Sequence, residues 1–215
     1  MASGLVRVRT KSGKRGGRPR KFNEIEALAK MRRQLWTAGL SGVSLDGIAR
    51  SAGMNRPSLA AAFGDKDAIY AKAAAQFAAM MDARLSKAIG IADLSAALQA
   101  AFNAAIDVYT TDGPDGCFVI CTAPAEALTN PVCRTILQQS LEAIDAFFLR
   151  RLELERGRSI GNRADLPMLA AQLGAMLHSL ALRARAGWSP EQLRSLADSV
   201  IRHVVREVCP SVHDG

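Results

Sequence analysis

Gly53-Met54-Asn55-Arg56-Pro57-Ser58-Leu59-Ala60-Ala61-Ala62-Phe63-Gly64-Asp65-Lys66 places two turn signals around about two turns of possible helix, too little to fold alone. Asn55 stands where an N-cap belongs, and Pro57 falls in the first turn, where its missing N–H costs nothing. Leu59 and Phe63, four apart, share a buried side, while Pro57, Ser58, Ala60 and Ala61 point away from it. Upstream, Ser44 caps a short helix whose Leu45, Ile48, Ala49 and Ala52 mark an inner face before Gly53 stops it. Further upstream, Asn23 with Glu26 makes a capping box, Phe22 sits at the staple position, and Gly39 closes a helix over about 24–38. Its Ile25, Leu28, Met31, Leu35 and Trp36 keep to one face. A longer helix followed by two short ones joined through a glycine turn is the helix-turn-helix arrangement.

The rest of the chain reads as helix too. Of 215 residues, 49% are hydrophobic but only 5% aromatic, and alanine and leucine dominate over β-branched clusters, so the fold is all-α with enough apolar mass for a sizeable core. Asp65 opens a long helix over about 66–89, and further helices are predicted over 93–109, 117–128, 131–156, 165–186 and 190–208. Gly113-Pro114-Asp115-Gly116, Asn130-Pro131, Asp165, Gly187 and Ser189-Pro190-Glu191-Gln192 punctuate them. The predicted organisation is a basic arm over 1–21, a helix-turn-helix unit over 22–66 and a larger helical domain over 67–215.

Charge locates a partner. Residues 1–21 hold Arg7, Arg9, Lys11, Lys14, Arg15, Arg18, Arg20 and Lys21 and no acid; of 28 basic residues this leaves 20, against 20 acidic. The whole excess of +8 is therefore this arm. A Gly-, Ser- and Arg-rich stretch cannot bury enough apolar surface to order itself, but it tracks a polyanion by counterion release, so a nucleic acid is expected. No apolar h-region follows the arm, and the most apolar later run, 166–186, is broken by Gln172, His178, Arg183 and Arg185. The expectation is a cytoplasmic protein without membrane contact, whose four cysteines stay reduced.

Gly17-Arg18-Pro19-Arg20, Leu45-Asp46-Gly47-Ile48-Ala49, Ala52-Gly53-Met54-Asn55-Arg56-Pro57-Ser58-Leu59, Phe63-Gly64-Asp65-Lys66 and Ile69-Tyr70 together resemble the N-terminal domain of the TetR family of bacterial transcriptional regulators. The resemblance covers about residues 17–70; beyond it lies only a general likeness to that family's helical regulatory half. It implies a homodimer on a roughly palindromic double-stranded operator, most commonly a repressor, with a C-terminal domain that takes a small-molecule inducer. Arg56 at the free end of the third helix is the side chain able to reach guanine bidentately, Ser58 can bond a base edge or phosphate, and Pro57 and Ala61 offer apolar contact. The resemblance also makes Lys66 a phosphate contact, in keeping with its place at a helix N-terminus. Where the family commonly carries an aromatic, this chain has Ala60. Thr37 contacts the DNA backbone in this reading, and Ser44 is either such a contact or purely a cap. Arg18 and Arg20 are placed to enter a minor groove.

For an inducer cavity the candidates are Phe77, Met81, Phe102, Ile106, Tyr109, Cys117, Phe118, Cys121, Glu126, Phe147 and His178, although the same stripe is what core packing requires. Cys117 and Cys121 share a face, and a thiol at a helix start is expected to have a lowered pKa, which gives an alternative: a sensor of electrophiles or oxidants through Cys117. Two small buried hydrophobes are the other reading of that pair. Leu169, Leu173, Met176, Leu177 and Leu180, with Leu193, Leu196, Val200, Ile201, Val204, Val205 and Val208, give the last two helices faces suited to a dimer bundle. No nucleophile elbow, phosphate loop or clustered metal ligands are seen, so no enzyme, cofactor or metal is expected.

Overall fold

The computed structural model describes residues 23–156 and 164–208, and the basic arm with its Arg18 and Arg20 lies outside them. Among the described residues the regular structure is helical: α1 (Glu24–Ala38), α2 (Leu45–Ser51), α3 (Arg56–Phe63), α4 (Lys66–Ile89), α5 (Leu94–Thr111), α6 (Phe118–Thr122), α7 (Pro131–Glu153), α8 (Leu166–Arg185) and α9 (Pro190–Val208). The fold is all-α, with an N-terminal helix-turn-helix. Side-chain caps set most of the starts. Asn23, Ser44, Asn55, Asp65, Asp93, Asn130 and Asp165 each accept a backbone N–H from the first turn of the helix that follows.

One predicted helix is corrected. The segment expected as helix over 117–128 is helical only at Phe118–Thr122, because Pro124 has no N–H to continue the ladder. The chain then turns twice: Ala127 N donates to Ala123 O at 3.0 Å and Asn130 N to Glu126 O at 2.8 Å. This break brings Glu126 back toward the first helices.

The core is continuous from α1 to α9. Trp36 of α1, 1% exposed, sets its indole edge-on to Phe77 of α4 (centroids 5.1 Å, 82°) and against Phe118 of α6 (5.9 Å, 69°). Polar links reinforce this seam. Arg185 donates to the Trp36 carbonyl, Arg32 to Gln76 Oε1 at 2.9 Å, and Gln76 to the Ile25 carbonyl at 3.2 Å. Behind it α5 lies along α4 with α9 on its outer side, and α7 runs along α8. The last pair meets closely at Gly174, where a Cβ would lie 2.2 Å from Asp145 Oδ1, so a larger residue there would displace the Asp145 carboxylate. Arg151 is buried and pairs with Glu155 at 2.8 Å, while its other nitrogen donates to the carbonyls of Ile91 and Ala92 just past the end of α4. The two terminal nitrogens of a buried cation thereby fix that chain end, while its Nε has no partner among the described residues.

Candidate nucleic-acid interface and inner cavity

The α2–α3 turn is made by Gly53, whose φ of 67° lies in the left-handed region that favours glycine. Asn55 Oδ1 then accepts from Ser58 N at 2.9 Å to start α3. Leu59 and Phe63 anchor the helix inward, and Arg56, Pro57, Ser58, Ala60 and Ala61 are exposed together on the outer side. At the far end Lys72 donates to the carbonyls of Ala62 (3.3 Å) and Phe63 (3.2 Å), with its ammonium 5.4 Å from the Phe63 ring centroid. A cation on the last carbonyls of a helix stabilises it through both hydrogen bonding and the dipole. Lys72 was missed in the sequence, since nothing local shows that α4 folds back beneath α3.

Arg56 lies 3.7 Å from Asp46 of α2, with both side chains more than half exposed. Such a pair is weak and leaves Arg56 available. Lys66 is half-buried in the first turn of α4. Ser44 is a cap, its Oγ accepting from Gly47 N at 3.1 Å, which leaves its O–H to donate outward. Thr37 is exposed, but its O–H donates to the Arg33 carbonyl at 3.0 Å; a phosphate contact requires that hydroxyl to turn.

Inside the larger helical part a cavity of about 420 Å³ opens among α4, α5, α6, α7 and α8. Phe77, Met81, Tyr109, Cys117, Phe147 and His178 line it. The other five cavity expectations are corrected. Phe102 stacks on Phe148 at 5.5 Å, Ile106 is fully buried in the core, and Phe118 turns to Trp36, Tyr70 and Phe77. Cys121 sits against the α8 carbonyl of Ala181 instead. Glu126 is remote from the cavity: its carboxylate accepts from Ser41 N at 2.9 Å and Ser41 Oγ at 2.8 Å, tying the α1–α2 turn to the segment after α6. Helical periodicity marks a side chain as inward without saying which neighbour it meets.

Burial holds two polar groups of the cavity, Tyr109 and His178, toward their uncharged forms. Burial raises the Tyr109 phenol well above its ordinary range and lowers His178 below that of a free imidazole. His178 Nε2 is buried without a hydrogen-bond partner among the described residues. The expected low-pKa thiol at Cys117 is overturned. Cys117 is the N-cap of α6 and fully enclosed, and desolvation pushes its thiol up to about 12, outweighing the nearby backbone N–H groups. Cys121 is also raised by burial, but it is only partly enclosed and Arg185 opposes the shift. Brief iodoacetamide treatment of the folded protein, read by peptide mass spectrometry, is expected to label Cys121 before Cys117 and Cys133; preferential labelling of Cys117 would contradict this burial.

Known proteins share this architecture. The family model described as "Bacterial regulatory proteins, tetR family" matches residues 27–73, spanning α1 to the first turns of α4. The HTH-type transcriptional repressor ComR of Escherichia coli (strain K12) is 27% identical over 199 residues, covering 86% of this chain and 90% of that protein. A cysteine mutant of the TetR family transcriptional regulator CifR, complexed with 26-bp double-strand operator DNA, superposes with a TM-score of 0.78 at 22% identity, over 86% of this chain and 98% of that one. The reduced form of E. coli NemR gives a TM-score of 0.71 at 19% identity, over 87% and 99% of the two chains. Among the described residues no helix is long and apolar enough to cross a membrane. With its capped α3 presented outward on a helix-turn-helix, the N-terminal part of the chain matches the model of the tetR family of bacterial regulatory proteins, and most of its length is similar in fold to regulators of that family.

Proposed function

We propose that this chain is a ligand-responsive repressor: a homodimer that holds a palindromic operator with two copies of α3 and releases it when a small molecule fills the inner cavity. In this reading residues 22–66 bind DNA, 67–215 sense and dimerise, and the basic arm follows the duplex with Arg18 and Arg20 in the minor groove. Arg56 and Ser58 read base edges, Pro57 and Ala61 supply apolar contact, and Lys66, Ser44 and Thr37 meet the backbone.

The observation that carries the proposal is a shared wall. Phe77 lines the cavity on one side and meets Trp36 with its ring, and Phe118 reaches Trp36 from between the cavity-lining residues Cys117 and Val119. A ligand that shifts α4 or α6 therefore shifts α1, and through Glu126 and Ser41 the turn before α2. Of the apolar faces expected to form a dimer bundle, Leu173, Leu177, Leu180, Leu193, Ile201 and Val204 pack inside the chain, and what α8 and α9 leave for a dimer contact is a stripe of Met168 (56% exposed), Ala175 and Leu182 (52% exposed), seven apart on α8, and the half-buried Leu196 and Val200 of α9. Thiol sensing through Cys117, the alternative, needs the site to open first, because the sulfur is enclosed and protonated.

Gel-shift titration on the DNA upstream of the protein's own gene tests the reading. Retarded complexes on a palindromic site, dispersed by a compound that binds the cavity, are expected. Failure to bind any such site would sink it, and binding that no cavity ligand alters would leave a DNA-binding protein without the sensing role.

A further inference from the structure

The polar groups around the cavity specify more than its presence. Its volume of about 420 Å³ is close to three times the roughly 150 Å³ that accepts one benzene ring, which leaves room for two rings in a loose fit. The charged lining residues are Asp82 and Arg150, opposite in sign and both exposed, so no net charge waits for an ionic ligand and none lies at depth. Tyr109, 1% exposed, lies at depth and lines the cavity, and no described residue hydrogen-bonds its hydroxyl. The unpartnered atom closed off in this lining is His178 Nε2, which can accept from a ligand O–H, while the Tyr109 hydroxyl can donate to a ligand oxygen. A carboxylate brought to the same place would lose its hydration and find a neutral phenol, a neutral imidazole and a protonated thiol.

We propose that the inducer is an uncharged, mainly apolar molecule about two rings in size, carrying one hydroxyl or carbonyl oxygen that docks on the Tyr109 hydroxyl. This rests on reading the cavity as the inducer site. Selectivity arises because the apolar walls take the ring system and Tyr109, with the unpartnered His178 Nε2 in the same lining, distinguishes an oxygen from a methyl group at its end.

The test is calorimetric titration of the full chain at pH 7 with 2-naphthol, 2-methylnaphthalene and 2-naphthoate. These share a ring system and end in a hydroxyl, a methyl group and an anion. The wild-type protein is expected to prefer 2-naphthol to 2-methylnaphthalene about tenfold and to bind 2-naphthoate least. Tyr109→Phe, which removes only the oxygen, is expected to lower the naphthol-to-methyl ratio severalfold while keeping 2-methylnaphthalene affinity, so retained binding of the methyl probe reports an intact fold. Ala143→Trp, at an exposed lining position, should weaken all probes by filling the entrance. An unchanged ratio in Tyr109→Phe, or 2-naphthoate binding as tightly as 2-naphthol, overturns the ligand class and leaves the cavity reading standing. Absence of all binding, or equal binding in Ala143→Trp, overturns both.

Discussion

Trp36→Ala is expected to destabilise the protein by about 3–5 kcal/mol, the range for removing a buried large aromatic with incomplete collapse of the space left behind. The indole is almost fully enclosed and in contact with both Phe77 and Phe118, so truncation removes two edge-type aromatic pairs together with the buried area. Its Nε1 has no hydrogen-bond partner among the described residues, so no hydrogen bond is lost with the ring. The bond from Arg185 goes to the backbone carbonyl and is kept. At about 2–4 °C per kcal/mol for a chain of this length, the melting temperature should fall by roughly 6–20 °C at fixed protein concentration. Trp36→Phe keeps a ring in the seam and should lose much less. A fall below about 3 °C for the alanine variant would show that α1 is held to α4 and α6 by something other than this cluster. The functional consequence follows from where the residue sits. Trp36 is the aromatic through which α1 meets Phe77 of the cavity wall, so in the proposed reading its loss should leave the cavity filled or empty with little effect on the first three helices.

The fold was legible largely because its punctuation is chemical. Asn23, Ser44, Asn55, Asp65, Asn130 and Asp165 carry cap side chains whose function is local, and their helices begin where those residues predict. Pro124 is an equally local signal inside an apolar run, and the helix expected through 128 stops at Thr122. The outward face of α3 could likewise be read from a four-residue spacing. What the sequence leaves open is the identity of partners across elements. Glu126 is expected among the cavity residues, yet its carboxylate closes on Ser41, distant in sequence. Lys72 caps a helix that precedes its own, and Phe102 and Phe118 are inward, as periodicity requires, but toward Phe148 and Trp36 and not toward the cavity. Cys117 shows the same limit electrostatically: position at a helix start argues for a lowered thiol pKa, and the enclosure that reverses it is a tertiary fact.

Arg56→Ala, in the proposed dimer on its operator, is expected to weaken binding by roughly 2–6 kcal/mol, twice the 1–3 kcal/mol of one bidentate guanine contact. Removing the Asp46 pairing costs little, since exposed ion pairs contribute at most about 1 kcal/mol, so almost all of the effect should be lost DNA contact. The remaining outer face sharpens the expectation: Pro57, Ala60 and Ala61 carry no side-chain donor or acceptor, and Ser58 is the other polar group there. Asp46→Ala should act in the opposite direction, because it releases Arg56 and removes a negative charge facing phosphates. Fluorescence anisotropy with the operator and with single base-pair variants separates base reading from simple charge. If Arg56 reads a base, the alanine variant loses discrimination at one base pair in each half-site while its salt dependence stays close to that of the wild type. A uniform loss over all sequences, with a flatter salt dependence, would move Arg56 to the phosphate backbone and leave Ser58 as the polar reader on a face otherwise built of alanine and proline.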